Sequence, residues 1–392
     1  MSNNTFHIPY GKQYISQEDI DVVVETLKAD FLTQGPKIAE FEENFANYVG
    51  AKYAVAISNG TAALHLSLLA FGVGKGDRII TSPITFAASA NAALYCGAEV
   101  FFADIDPETY VISIAEVEKL LNSHPKGYFK AIVPVDFTGF PVDVEALKEL
   151  AQKYDLFILE DACHSPGGYF IDKNKNKQLC GNGVFADAIA FSFHPVKHIA
   201  AGEGGMITTN DEAFYKKLLM LRSHGITKEN MTFDIPNAEE QGSWYYEMQT
   251  LGYNYRITDI QAALANSQLQ KAEKGIVRRQ EIADKYRNAF ENTSLKMQKK
   301  DERYFNAHHL FVVEVEDRKG LYDFLREHNI FSQIHYIPVH LLSYYKQFGW
   351  KAGDFPNAEN YYKHCISLPM YPTLTNEEQE FVINKVLEFI SG

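Results

Sequence analysis

Ala190-Phe191-Ser192-Phe193-His194-Pro195-Val196-Lys197, followed shortly by Ala200-Ala201-Gly202-Glu203-Gly204-Gly205-Met206, is the stretch on which the fold turns. Residues 189–193 and 205–209 are apolar, strand-like runs, and they flank Lys197 in a hairpin-like arrangement. Most lysines are solvated surface groups. This one sits between apolar residues and glycines, where loss of water favours the neutral amine that can form an imine. Ser192, five residues earlier, is placed to hydrogen-bond a phosphate oxygen, and the glycines permit close backbone approach.

Working outward, strand-like runs alternate with helical patterns from about residue 16 to 210, the signature of βαβ units on a largely parallel sheet. Strands are predicted at 54–58, 78–81, 99–103, 131–135 and 156–160, which with the two flanking Lys197 makes seven. Helices are predicted at 61–71 and 87–95, each closing at a glycine. Residues 223–255 are polar and aromatic without a clean period, and irregular segments of that length are usually functional. One long amphipathic helix is expected over 258–290. A smaller α/β unit follows, with strands at 310–315 and 331–336 and helices at 319–327 and 376–390. The expected division is a large domain over 1–257, including the N-terminal segment and the loop 223–255, and a linking helix with a small domain over 258–392.

The 392 residues carry a net charge of −13, which argues against a general nucleic-acid or anionic-membrane binder. A phosphate-bearing ligand would have to be held by a local device such as a helix start. Cys96, Cys163, Cys180 and Cys365 are far apart, so neither zinc spacing nor a disulfide framework is indicated. Residues 1–7 lack the basic start and apolar run of a secretory leader, and no stretch approaches a membrane span, so a cytoplasmic setting is expected.

Ser58-Asn59-Gly60-Thr61-Ala62-Ala63 lies where a strand gives way to a helix, a ready anion cup; taken alone it reads equally well as a helix cap. Glu160-Asp161-Ala162-Cys163-His164 follows a strand, so a carboxylate faces the crevice where α/β proteins bind ligands. An Asp against a pyridine nitrogen keeps that nitrogen protonated. On its own, His164 reads more naturally as a core histidine.

Together with Thr85-Phe86-Ala87-Ala88-Ser89-Ala90-Asn91-Ala92, these motifs resemble, in order and spacing, the DegT/DnrJ/EryC1/StrS sugar aminotransferases over nearly the whole chain. The resemblance implies pyridoxal phosphate (PLP) as cofactor and a PLP-dependent fold of type I, the aspartate aminotransferase type. It also implies a homodimer with shared active sites. By the same resemblance Lys197 is the catalytic amine and holds the cofactor covalently, Asp161 pairs with its pyridine nitrogen, and His164 lies near its ring hydroxyl. Phe86 stacks on the ring. Gly60, Thr61, Ala62 and Ser192 hold the phosphate, joined by Asn254 of the partner subunit, from Leu251-Gly252-Tyr253-Asn254-Tyr255-Arg256. Relatives that dehydrate sugars carry His where Lys197 stands, so dehydration is disfavoured. A PLP-binding protein without catalysis would need only the phosphate cup and ring contacts, and here Lys197, Asp161 and Phe86 are all present.

Within the family, Arg222-Ser223-His224-Gly225-Ile226 and Asp136, which stands where many relatives have His, resemble members that aminate carbon 4 of a UDP-linked 4-keto-6-deoxy-N-acetylhexosamine. L-Glutamate would be the donor and 2-oxoglutarate the by-product. Perosamine, legionaminic and bacillosamine precursors are the alternative sugars. Tyr10, Arg256, His335 and His340 sit where relatives approach the sugar nucleotide. The two histidines of Gln333-Ile334-His335-Tyr336-Ile337-Pro338-Val339-His340 lack a third ligand, so no metal is expected.

Overall fold

The computed structural model describes residues 6–228 and 240–392, so part of the irregular segment 223–255 lies outside the described residues. Seven strands form one sheet, in the spatial order Tyr53–Ile57, Gly205–Thr209, Ala188–Ser192, Phe157–Asp161, Ala131–Val133, Arg78–Thr81 and Glu99–Phe102. All neighbours are parallel except Gly205–Thr209, which runs antiparallel to both strands beside it. These strands read as continuous apolar runs because helices cover the sheet and both faces are buried. The helix Gly60–Ala70 is apolar nearly all round for the same reason: Ala62, Ala63, Leu64, Leu66 and Leu68 are all buried.

Two glycines let the sheet meet that helix. A Cβ on Gly205 would lie 2.6 Å from the carbonyl carbon and oxygen of Asn59, and one on Gly60 would lie 2.9 Å from Ser192 Cβ. Strand and turn are therefore in backbone contact, and the end of the strand that precedes Lys197 lies against the start of the helix.

A second core gathers Ile282, Tyr286, Phe290, Val313, Leu321, Leu325, Ile366, Val382 and Val386, together with Ile8 from the N-terminal segment. Its sheet is Lys296–Met297, Phe311–Glu314 and Cys365–Leu368, all antiparallel. The strand Ile8–Pro9 pairs with Ile330–Phe331, tying the N-terminal segment to this unit.

The expected helix over 258–290 is two helices, Asp259–Leu269 and Ala272–Phe290. Between them the hydrogen bonding tightens, with Lys271 N donating three residues back to Gln268 O at 3.0 Å. The Lys271 ammonium is held there by Asp19 and by Ser16 Oγ. The strand expected over 331–336 is confined to Ile330–Phe331. Gln333 then exchanges a pair of backbone bonds with Ser367, the His335 carbonyl accepts from the Tyr361 hydroxyl at 2.7 Å, and Pro338 has no N–H to continue a ladder. No helix among the described residues is long and apolar enough to cross a membrane.

Candidate active site

A cavity of about 710 Å³ opens at the carboxyl ends of the parallel strands. It is lined by Tyr10, Gly60, Thr61, Ala62, Phe86, Asp161, Ser192, Lys197 and His335, so nine of the sequence-predicted site residues meet in one place. Its size suits a cofactor or small ligand.

At one end lies the start of the helix Gly60–Ala70. Asn59 caps it through Oδ1, which accepts from Ala62 N at 2.8 Å. The amides of Gly60 and Thr61 follow that cap as the first of the helix, where it has no internal partners and its dipole favours an anion. Ser192 faces the same point: its Cβ is the atom a side chain on Gly60 would strike.

Asp161 ends the strand Phe157–Asp161 and is almost wholly buried. Ser89 Oγ donates to Oδ2 at 2.7 Å and Cys163 N to Oδ1 at 3.2 Å, which fixes the carboxylate at the cavity wall. Lys197 projects from the crossover between the two antiparallel strands. Burial holds its amine below the ordinary lysine value, opposed by Cys163 and Asp161 and reinforced by Arg279. Phe86 is 61% exposed, an aromatic side chain turned to the open space of the cavity it lines.

His335 Nδ1 pairs with Ser367 Oγ at 2.8 Å, and its ring lies 5.3 Å from that of Tyr10. Burial, aided by Lys197, pushes its pKa down to about 3. His164 is buried just behind the wall, its ring 4.2 Å from that of His309.

Three sequence-predicted residues stand apart. His340 is fully buried, donates from Nε2 to Glu359 Oε1 at 3.0 Å and packs on Phe102 and Phe355, so it is a core histidine that lines no part of this cavity. Asn254 is exposed and bridges to Ser223. Arg256 bridges to Ile57 at the sheet edge, half-buried. Sequence reasoning missed His309, Tyr336, Cys163, His65, Tyr95 and Tyr255, all of which line the cavity. Cys163, Tyr255 and Tyr336 lie inside motifs singled out in the sequence, 160–164, 251–256 and 333–340, where their neighbours were assigned and they were not. His65, Tyr95 and His309 arrive by long-range packing, and of these only His309 had a local signal, the doublet His308-His309 before an apolar strand.

The chain matches the DegT/DnrJ/EryC1/StrS aminotransferase family over residues 13–387. Among curated relatives, the spore coat polysaccharide biosynthesis protein SpsC of Bacillus subtilis is 40% identical over 98% of this chain and 97% of its own. The UDP-4-amino-4,6-dideoxy-N-acetyl-beta-L-altrosamine transaminase of Campylobacter jejuni is 36% identical over 96% and 95%. Among solved structures, Helicobacter pylori PseC, an aminotransferase of pseudaminic acid biosynthesis, superposes with a TM-score of 0.87 at 30% identity, covering 98% of this chain and 100% of that one. The PLP form of a sugar aminotransferase from Streptococcus pneumoniae gives a TM-score of 0.87 at 28% identity, with 98% of each chain covered.

Proposed function

Because the chain belongs to the DegT/DnrJ/EryC1/StrS aminotransferase family, and is therefore a PLP-dependent nucleotide-sugar aminotransferase, we propose a specific reaction for it. It moves the amino group of L-glutamate to carbon 4 of a UDP-linked 4-keto-6-deoxy-N-acetylhexosamine. The products are UDP-4-amino-4,6-dideoxy-N-acetyl-β-L-altrosamine, a precursor of pseudaminic acid, and 2-oxoglutarate. Support comes from the named relative at 36% identity and from the PseC likeness.

The cavity fits PLP. Its phosphate matches the Gly60–Thr61 amides and Ser192, at a contact too close for any side chain on Gly60. Its aromatic ring matches the open face of Phe86, and a ring nitrogen matches the buried Asp161 carboxylate. The single observation that carries the reading is Lys197: a half-buried amine, held below its usual value, in the same cavity as that carboxylate and that cup. When bound, PLP supplies an electron sink for the carbon that loses or gains a proton. Lys197 Nζ carries that proton, from the α-carbon of glutamate in one half and onto carbon 4 of the sugar in the other. A general acid-base group so placed contributes about 10²–10⁴ in rate. His164, Gly60, Thr61 and Ala62 are assigned to cofactor binding with Asp161, Phe86 and Ser192, and Tyr10, His335 and Arg256 to the sugar nucleotide.

A homodimer, with Asn254 of the partner subunit completing the phosphate site, is supported by the exposure of Asn254 and by apolar side chains left at the surface. Ile20, Val24, Leu27 and Phe31 form one such stripe, and Trp244 and Leu251 are 73% and 75% exposed.

A second reading, amination of a different nucleotide-linked keto sugar, is favoured by the higher identity to the Bacillus subtilis spore coat polysaccharide protein. Incubation with glutamate and a panel of UDP- and GDP-linked 4-keto sugars, with the product identified by NMR, separates the two. Turnover of the L-configured UDP sugar is expected, and its absence alongside turnover of another sugar transfers the assignment. Lys197→Ala is expected to abolish both the cofactor's near-visible absorption band and turnover. A yellow, fully active variant would overturn the assignment of the amine.

A further inference from the structure

One wall of the cavity is left unused by that reading. His309 lines it, almost wholly buried, with its ring 4.2 Å from His164 and 5.8 Å from His198. Burial holds the imidazole neutral, reinforced by the basic groups that face it, Lys197, His164, His198 and Arg279. A neutral imidazole has one N–H and one lone pair. His309 Nδ1 is sealed and has no partner among the described residues, as is His164 Nδ1. A sealed N–H without an acceptor costs about 1–3 kcal/mol, and orphaned buried donors are rarer than orphaned acceptors. The proton therefore belongs on Nε2, and Nε2 is the polar atom His309 can offer to the cavity.

The backbone that carries this ring is held on every side. Arg279, 1% exposed, donates from one guanidinium nitrogen to the carbonyls of His308 at 3.0 Å, His309 at 3.3 Å and Met370 at 3.0 Å. No carboxylate pairs with it among the described residues. Ala307 N donates to Gly139 O at 2.9 Å, Leu310 N to Thr138 O at 3.1 Å, and the Ala307 carbonyl meets His198 Nε2 at 2.9 Å. A buried cation without an acid partner is costly to desolvate, and only well-placed hydrogen bonds, such as those to these carbonyls, offset that. Here they fix one turn, and that turn seats His309.

We propose that His309 is a further binding residue of the cavity, a fixed hydrogen-bond donor through Nε2 to an oxygen anion of the bound molecule, with Arg279 as its positioning residue. This rests on the cavity being the PLP and substrate site. The oxygen belongs either to the cofactor ring or to a carboxylate of the amino donor, and two binding measurements tell these apart. One is the affinity of the apoenzyme for PLP, by equilibrium dialysis; the other is the affinity of the holoenzyme for glutarate, a dicarboxylate that cannot react, by spectral titration. His309→Phe is expected to weaken one of the two about tenfold, the size of one lost hydrogen bond to a charged group, and His309→Gln, which keeps a donor, to recover most of it. In 15N-histidine-labelled wild-type protein, His309 is expected to show an unprotonated Nδ1 and no titration from neutral to mildly acidic pH.

Unchanged affinities in a folded His309→Phe, or a His309 that carries its proton on Nδ1 or titrates near the ordinary value, would overturn the proposal. The NMR measurement decides it even where His309→Phe does not fold. A wild-type protein that takes up no PLP would instead overturn the reading of the cavity.

Discussion

Gly60, Gly205 and Gly74 look alike in the sequence and are not alike in the fold. A methyl group on Gly205 would meet the Asn59 backbone at 2.6 Å, where nothing can swing aside, whereas one on Gly74 meets nothing within 4 Å. Gly205→Ala is expected to lower stability by about 1–3 kcal/mol through overpacking. Gly74→Ala is expected to be neutral or to add up to about 1 kcal/mol by restricting the unfolded chain. Paired urea titrations check both, and equal midpoints would refute the contact argument. At this scale the site was legible where its residues fall within short motifs: Lys197, Asp161 and Gly60 each announce themselves beside a strand end. His309 was not, because a clamp from Arg279, far away in sequence, brings it to the cavity. Tyr336, though beside His335 in a named motif, is seated by a hydrogen bond from the distant Tyr361 to the His335 carbonyl. His340 shows the converse. The family resemblance placed it with His335 beside the sugar nucleotide, yet Glu359 and the rings of Phe102 and Phe355 draw it into the core.

Helix ends carry long-range information at the scale of elements. Asp259 opens the helix Asp259–Leu269, but its carboxylate caps a different helix, Pro36–Val49, accepting from Gly35 N at 2.8 Å and Lys37 N at 3.0 Å. It is fully buried, so Asp259→Ala strands two amides and is expected to cost about 1–3 kcal/mol. Asp259→Asn, which keeps one acceptor, is expected to cost less. Thermal melts of the two variants check the order, and an Asn variant as damaged as the Ala variant would count against it. All seven strands of the main sheet were readable as apolar runs. The break near residue 270 was not, because the helical pattern continues through it and only the pull of Asp19 on Lys271 shows where the turn tightens.

Taken as a whole, the molecule buries ionisable groups of opposite tendency. His164, His198, His309 and His335 are all held below the ordinary histidine value, chiefly by burial. Below about pH 6.5 the unfolded chain takes up protons that these folded imidazoles refuse, so stability should fall as pH drops, toward about 3 for His335. Glu160 behaves oppositely. Burial, with Asp136 and Asp161 beside it, raises its carboxyl well above the usual range. Its proton is kept in the fold after the unfolded chain has released one, so stability should decline as pH rises from the ordinary glutamate value toward the raised one. Glu160→Gln is expected to flatten that upper limb and leave the acid limb in place. Unfolding free energies across a pH series test this, and an unchanged upper limb would exclude Glu160 as its source. The proposed dimer belongs to this scale as well: wild-type protein is expected to sediment as a dimer, and Leu27→Asp combined with Phe31→Asp to shift it toward monomer.

The strand Tyr53–Ile57 is an edge whose ladder runs entirely along Gly205–Thr209, apart from one bridge to Arg256 at its end. On a ribosome that partner emerges roughly 8–30 s later, at about 5–20 residues per second. Throughout that interval an apolar segment waits with both margins open, the condition under which nascent chains stick to one another. Birth of the enzyme therefore has a vulnerable window, closed by the same insertion that draws the reactive amine up to the phosphate cup. Arrested chains ending shortly before residue 205 should be the ones that chaperones hold longest.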